Sequence, residues 1–319
     1  MPKIRLAISI GDVNGVGLEL ALRTHREISA LCEPIYCAHR EVLESGARLL
    51  GLDMPQDMKC DIKCEGLDSE TSEALELPQI TPGAVSGVSG RYSFEGFMHG
   101  VRLCERGEAS ALVTLPIHKK AWELGGVSAI GHTDALSRHF GKQGIMMLGC
   151  EQMYVALLSD HISLSAVSAQ VNTESVREFL LAFAQSVRLS EPCCVLGLNP
   201  HCGDSGLIGH EDSFISAGIN EANALLKQEL FFGPCPADSA FAPHNRARFR
   251  YFVSMYHDVG LAPLKALYFE ESINISLNLP ILRTSVDHGV AFDKAYKGEA
   301  ISAQSYINAV KYAVFHAKI

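Results

Sequence analysis

The chain has 319 residues, 47% hydrophobic and 20% charged, which suffices for one large domain or two domains that share a cleft. Its net charge of -9 argues against non-specific nucleic-acid binding, and no apolar run reaches the roughly 18 residues of a membrane-spanning helix. The ten cysteines form no CxxC pair, and the N-terminus shows no apolar signal segment, so we expect reduced thiols and a cytoplasmic protein without membrane or nucleic-acid partners.

The first elements predict the opening of an α/β unit. The apolar run Ile4–Ile10 predicts a strand, and Leu18–Arg23 predicts a helix. The loop between them contains three glycines, Gly11, Gly15 and Gly17. This loop lacks the GxGxxG spacing of a dinucleotide-binding fingerprint, and no acidic residue closes a second strand about 20 residues later. We therefore interpret its glycines as tight-turn residues.

Strands and helices alternate along the rest of the chain. The predicted strands are Ala111–Leu115, Gly144–Leu148, Tyr154–Leu158, Cys194–Leu198 and Phe252–Met255, and the predicted helices are Thr173–Arg188, Glu211–Lys227 and Ser302–Ala317. This order predicts a largely parallel sheet covered on both faces, with ligands beyond the carboxyl ends of its strands. The segment Gly51–Gly90 is rich in turns and predicts no clear element.

The segment Tyr256–Gly289 carries three polar side chains that suit a small anionic substrate. Lys265 supplies a point charge, Asn274 both a donor and an acceptor, and Arg283 a two-pronged donor. We predict strand and loop pieces here rather than one helix, with the two prolines of the segment as breaks.

Three histidines, His161, His201 and His257, lie in loop-like sequence. Two of the three follow predicted strands that should end at the same edge of a sheet. The segment Asn199–Asp212 also places residues of ligand type among glycines, which suggests close approach to a ligand. Three neutral imidazoles with an open fourth position suit a catalytic divalent ion, whereas separate surface or core positions are the alternative.

Two further polar groups admit two interpretations each. His132 and Thr133 precede a helix, where they bind a substrate carboxylate or hydroxyl; alternatively, Thr133 or Asp134 simply caps the helix. Asp238 and Asp258 either orient metal-binding histidines or serve as caps and turn residues.

Four longer motifs occur along the chain in the order GHTDAL, GLNPHCGDSGLIGHED, YHDVGLAPLK and INISLNLPILRTSVDHGVAFD. In this combination the chain resembles the 4-hydroxythreonine-4-phosphate dehydrogenase family of vitamin B6 biosynthesis over nearly its whole length. It departs from the pattern usual in that family at the N-terminal loop, GDVNGVG, which lacks the usual proline, and at Leu115, where a glycine is usual. Both departures bear on loop geometry rather than on the polar residues above.

The resemblance implies a fold similar to that of the isocitrate and isopropylmalate dehydrogenases. Such a fold has two α/β/α subdomains around a cleft and is not a conventional Rossmann fold. We place residues 1–125 plus 280–319 in the first subdomain and residues 126–279 in the second. The family forms a homodimer with each active site at the subunit interface.

The resemblance also implies the site residues. A divalent metal ion (Zn²⁺, Mg²⁺, Co²⁺ or Mn²⁺) is held by His161, His201 and His257, with His257 expected from the neighbouring subunit. NAD or NADP binds without the GxGxxG motif. The substrate contacts carried over by motif are His132, Thr133, Lys265, Asn274 and Arg283.

The implied reaction is NAD(P)-linked oxidation of 4-phosphooxy-L-threonine at its C3 hydroxyl, followed by decarboxylation to 3-amino-2-oxopropyl phosphate. Lys265 is one candidate base, and Asp238 or Asp258 acting through water is another. The alternatives are oxidation of threonate or erythronate 4-phosphate, an acyltransferase acting on phosphates, and a binding protein without catalysis. Measurement of the metal bound to the purified protein would distinguish an acyltransferase or a binding protein from a dehydrogenase.

Overall fold

The computed structural model describes residues 3–62 and 75–317. The elements of the first part of the chain are β1 (Arg5–Ser9), α1 (Val16–Leu31), β2 (Glu33–Tyr36), α2 (Arg40–Leu50), β3 (Lys59–Cys60), α3 (Gly87–Glu105), β4 (Ala111–Thr114), α4 (Lys119–Leu124) and α5 (His132–Phe140). The short β3 and the beginning of α3 are the regular structure described within Gly51–Gly90, and residues 63–74 of that segment lie outside the described residues.

The elements of the second part are β5 (Ile145–Cys150), β6 (Met153–Leu157), α6 (Leu164–Gln170), α7 (Thr173–Val187), β7 (Cys193–Leu196), α8 (Glu211–Leu226), β8 (Phe231–Cys235), α9 (Ala237–Ala240), α10 (Pro243–Arg248), β9 (Tyr251–Ser254), α11 (His257–Tyr268), β10 (Ile273–Leu277), β11 (Arg283–Val286) and α12 (Gln304–His316). Each predicted strand and helix has a counterpart whose ends differ by a few residues, and α1 extends well beyond its predicted end. In the part of the chain that the structure describes, no helix is long and apolar enough to cross a membrane.

Contacts divide the chain into two units, Met1–Lys142 with Leu279–Ile319, and Gln143–Asn278. Residues 126–142, which the sequence predicts to belong to the second subdomain, lie in the first unit by their contacts. The reason is hydrophobic: Leu136 of α5 packs in the same core as Trp122 of α4.

The first unit is built on a parallel sheet with the strand order β3-β2-β1-β4-β11. The central strands β1 and β4 are buried along nearly their whole length, as expected for apolar runs covered on both faces. Helix α3 packs against β1 and β4, α12 packs against β4 and β11, and α1 packs against β2. The carboxyl ends of β4 and β11, at Thr114 and Val286, are buried.

The second unit has the strand order β10-β5-β6-β9-β7-β8. Strand β5 is antiparallel to both of its neighbours, and the remaining pairs are parallel. The strands are thus largely parallel, as predicted, and β5 is the exception. Only Glu151 and Gln152 separate β5 from β6, and so short a link permits a hairpin alone.

The predicted strand and loop pieces after Tyr256 are wrong for the first half of that segment, which forms α11. Proline inside a helix removes one backbone donor and costs about 3 kcal/mol, and Pro263 lies within α11. Leu261 and Leu264 belong to the main core of the second unit, and their burial offsets this cost. The predicted break at Pro280 is correct, since it falls between β10 and β11.

The glycine-rich loop after β1 is closely packed, in agreement with its interpretation as a tight turn. Gly11 has a φ of +72°, and a Cβ there would lie 2.1 Å from the carbonyl oxygen of Pro116. A Cβ on Gly17 would lie 2.4 Å from the carbonyl oxygen of Ile10. Backbone crowding therefore explains the glycines.

Candidate active site

Arg283 is the first residue of β11 and lies opposite Leu112 in the parallel pairing with β4. It is buried, and its Nε and Nη2 donate to the hydroxyl oxygen of Thr114 at 3.0 and 2.7 Å. Burial lowers the pKa of Arg283 to about 9, so the guanidinium still carries its charge at pH 7. A buried cation of this kind favours an anion as its ligand.

His132 is the first residue of α5 and is 8% exposed. Its ring packs against Phe97 and Trp122, with centroid distances of 4.8 and 5.4 Å. Its Nδ1 lies 3.0 Å from Nη2 of Arg283. Burial, together with the charge of Arg283, lowers the pKa of His132 well below 6.5, so the imidazole is neutral at pH 7.

Thr133 is half-buried in the first turn of α5, and within the described residues no side chain caps this helix. Asp134 instead accepts a hydrogen bond from the backbone N–H of Ile130 at 3.0 Å and pairs with Arg138. The capping alternative is therefore not supported. The first-turn N–H groups, which have no partner inside a helix, are suited to an anion.

Lys265 and Asn274 belong to the second unit. Lys265 lies in the last turn of α11, with its Nζ 5.3 Å from the ring centroid of Phe269. Asn274 lies on β10 opposite Leu148, and its Oδ1 is buried without a hydrogen-bond partner among the described residues. Such an oxygen is costly to bury unless a donor reaches it, which is consistent with a role in ligand binding.

Two of the three predicted metal histidines lie side by side. Strands β6 and β9 are parallel neighbours, so the segments after them begin at the same edge. His161 follows β6, His257 opens α11 after β9, and their ring centroids are 5.7 Å apart. The carboxylate of Asp258 lies 2.7 Å from Nδ1 of His257, in agreement with an orienting role that leaves Nε2 for a ligand.

His201 is exposed in the loop Pro200–Gly206, which follows β7. All residues from His201 to Ser205 have positive φ, a conformation that costs a non-glycine residue about 1–2 kcal/mol. Asp212 holds this loop, because its carboxylate accepts from the backbone N–H and the side-chain amide of Asn199 at 3.1 and 2.9 Å. Strain held in this way is typical of functional loops.

Among residues 3–62 and 75–317, no group of three or more His, Cys, Asp or Glu side chains could hold a metal ion. Asp238, on the short helix α9, is exposed. Thr114 is a site residue that sequence reasoning missed; its position at the carboxyl end of a predicted strand was the available signal.

Comparisons with known proteins identify the family. Residues 30–313 match the family described as pyridoxal phosphate biosynthetic protein PdxA. A protein from Sulfurimonas denitrificans is 49% identical over 314 residues, covering 98% of each chain. A protein from Helicobacter pylori strain J99 is 49% identical over 313 residues, covering 98% of this chain and 99% of the relative. Both are named 4-hydroxythreonine-4-phosphate dehydrogenase.

Solved structures share this fold. A crystal structure of a 4-hydroxythreonine-4-phosphate dehydrogenase from Burkholderia phymatum matches with a TM-score of 0.79 at 27% identity over 100% of both chains. The phosphotransacetylase EutD of Staphylococcus aureus, at a TM-score of 0.57 and 13% identity over 97% of this chain and 94% of that one, shares the fold alone. The expected α/β class and the resemblance drawn from the motifs are confirmed. The chain belongs to the pyridoxal phosphate biosynthetic protein PdxA family.

Proposed function

We propose that the protein oxidises 4-phosphooxy-L-threonine (4-hydroxythreonine 4-phosphate) at its C3 hydroxyl, with NAD or NADP as hydride acceptor. Decarboxylation then gives 3-amino-2-oxopropyl phosphate, a precursor in pyridoxal phosphate biosynthesis. The observation that carries this proposal is the buried contact of Arg283 with His132, which offers a fixed cation to a small anion. The names of the curated relatives support the same substrate. A cytoplasmic location belongs to this proposal, because phosphorylated substrates and nicotinamide nucleotides are cytoplasmic metabolites.

The substrate carries a phosphate and a carboxylate, and each needs donors. We propose that Arg283, His132 and Thr133 hold one of these groups, because a buried cation, a neutral ring and a helix N-terminus all favour an anion. Lys265 and Asn274 are proposed as further substrate contacts. Losing one charge-assisted contact of this kind costs about 1.5–3 kcal/mol of binding free energy.

The histidines fit a divalent metal ion by their donor chemistry. His257 directs Nδ1 to Asp258, which leaves Nε2 as a ligand next to the ring of His161. We propose His201, exposed on its strained loop, as the third ligand. Three imidazoles suit Zn²⁺ or Co²⁺ better than Mg²⁺ or Mn²⁺. Such an ion, when bound, supplies Lewis-acid polarisation of the substrate oxygen.

A homodimer is proposed, in which a second copy of the chain completes the ligand set. Large apolar side chains near the histidine loops support it, since Leu164 is 70% exposed and Leu207 is 84% exposed. Segments that carry apolar groups of this size on the surface beside functional loops are typical of subunit interfaces.

The proton of the C3 hydroxyl requires a base. Lys265, half-buried on α11, is proposed to take it directly. Asp258, already bonded to His257, and Asp238, exposed on α9, would act through water. Lys265→Met should then lower kcat by roughly a hundredfold or more, the usual contribution of a general base.

The test is the formation of NADH or NADPH from 4-phosphooxy-L-threonine, with and without prior chelation. Turnover should depend on added metal and should be lost in His257→Ala. The control is His244→Ala, which removes an exposed histidine of the same unit that has no proposed role. Absence of turnover by the metal-loaded protein with either nucleotide would contradict the proposal.

The same assay tests two alternative functions. Oxidation of threonate or erythronate 4-phosphate in place of the amino acid would identify a related dehydrogenase. An acyltransferase acting on phosphates shares the broad fold, as EutD does, but would need no nicotinamide nucleotide. Acyl transfer without nucleotide reduction would favour that class.

A further inference from the structure

Thr114 is a fully buried residue at the carboxyl end of β4 whose hydroxyl oxygen accepts two hydrogen bonds from Arg283. The sheet explains this contact. Arg283 is paired with Leu112, and Thr114 lies two residues further along the same strand, so it points to the same face. The arginine side chain therefore runs along the sheet and presents its guanidinium at the carboxyl edge.

The contact between Arg283 and His132 decides which ring nitrogen of His132 carries the proton. A guanidinium has five N–H donors and no acceptor, so Nδ1 of His132 must accept the bond from Nη2. A neutral imidazole with an accepting Nδ1 has its hydrogen on Nε2. The lowered pKa of His132 keeps the ring in that neutral form.

Nε2 of His132 is buried and has no hydrogen-bond partner within residues 3–62 and 75–317. Leaving a buried N–H without an acceptor costs about 1–3 kcal/mol. The same residue opens α5, whose N-terminus has no side-chain cap in the described structure. A ring donor and backbone donors at one helix end point to a ligand that brings an acceptor oxygen.

We propose that Thr114 is a positioning residue, which holds Arg283 so that Arg283 fixes His132 as its Nε2–H tautomer. The Nε2–H group then donates to an anionic oxygen of the phosphorylated substrate. This inference rests on the proposed function, because it concerns how that substrate is bound. It adds a role for Thr114 and assigns a single donor atom to His132.

The variant Thr114→Val keeps the shape of the side chain and removes the oxygen that receives two bonds from Arg283. We expect KM for 4-phosphooxy-L-threonine to rise by roughly ten- to a hundredfold, while KM for the nicotinamide nucleotide stays unchanged. The matched variant Thr114→Ser retains the oxygen and should keep KM within roughly threefold of the parent. An unchanged KM in Thr114→Val, or equal impairment of both variants, would overturn the inference and leave the proposed function standing.

Nitrogen-15 NMR of the imidazoles gives a readout that does not depend on turnover. The signals of His132 are those missing from His132→Gln, and near pH 7 they should report a neutral ring with its hydrogen on Nε2. A hydrogen on Nδ1, or a charged ring, would overturn the inference even in an active enzyme. This measurement on the parent protein decides the question if Thr114→Val fails to fold or if the parent does not turn over the substrate.

Discussion

At the scale of single residues, burial sets the protonation of the candidate site. Arg283 remains charged because its pKa, though lowered to about 9, stays above neutrality, and its charge lowers the pKa of His132 further. A cation and a neutral donor are thereby fixed beside each other in an apolar setting made by Phe97 and Trp122. Preorganised donors of this kind need little rearrangement when an anion binds.

The lowered pKa of His132 predicts how stability depends on pH. In the unfolded chain this histidine gains a proton near pH 6.5, whereas in the folded protein it stays neutral, so stability is lost as the pH falls below about 6.5. Between about pH 7.5 and 5.5 the parent should lose about 1.4 kcal/mol more unfolding free energy than His132→Gln does. Urea denaturation at each pH measures this difference, and His244→Gln, at an exposed position, should follow the parent. Equal pH dependence in parent and His132→Gln would contradict the burial argument.

At the scale of elements, α3 and α4 approach each other through glycine. A Cβ on Gly90 would lie 1.9 Å from the carbonyl oxygen of Ala121 and 2.7 Å from the backbone nitrogen of Trp122. Such contact with backbone cannot be relieved by turning a side chain. Because Trp122 also packs on the ring of His132, the spacing of these two helices bears on the site.

Gly90→Ala should therefore force α3 and α4 apart. We expect the unfolding free energy to fall by about 3 kcal/mol, the upper part of the range for overpacked cores. Chemical denaturation measures this loss, and Gly289→Ala, where a Cβ would meet nothing within 4 Å, is the control. A stability equal to that of the parent would show that the two helices separate without cost.

At the scale of the whole molecule, the chain consists of two units, each with its own set of strands and its own hydrophobic core. The histidines proposed for the metal all lie in the second unit, and among the described residues of a single chain no three such side chains form a group that could hold a metal ion. The same unit exposes large apolar residues such as Leu164 and Leu207. In the proposed homodimer, a second copy of the chain would cover these residues and complete the set of metal ligands.

Leu207→Asp should weaken the proposed homodimer, because it places a charge at an 84% exposed apolar position beside the loop of His201. Sedimentation should give twice the chain mass for the parent and a shift towards the single chain for the variant, with a parallel loss of metal-dependent turnover. Leu49→Asp, at a 52% exposed position in the first unit, should leave the mass unchanged. A parent that sediments as a single active chain would refute the homodimer.

The sequence by itself determined the family and those strands and helices that carry a clear apolar pattern. Apolar runs such as Ile4–Ile10 predict buried strands, because a strand covered on both faces has few positions for polar side chains. The order of the four motifs along the chain indicated the family. His132 and Arg283 were predicted from the sequence to bind an anion. These patterns lie within short segments of the chain, so they can be recognised in the sequence without knowledge of the fold.

The tertiary structure alone decided what depends on contacts between distant residues. Thr114 reaches Arg283 across 169 positions of sequence, and only their shared sheet face shows that the two meet. Likewise, Pro263 forms part of a helix because Leu261 and Leu264 are buried, and α5 joins the first unit because Leu136 packs in its core. The free energy of burial is gained between segments that fold together, so no pattern within one segment reveals it.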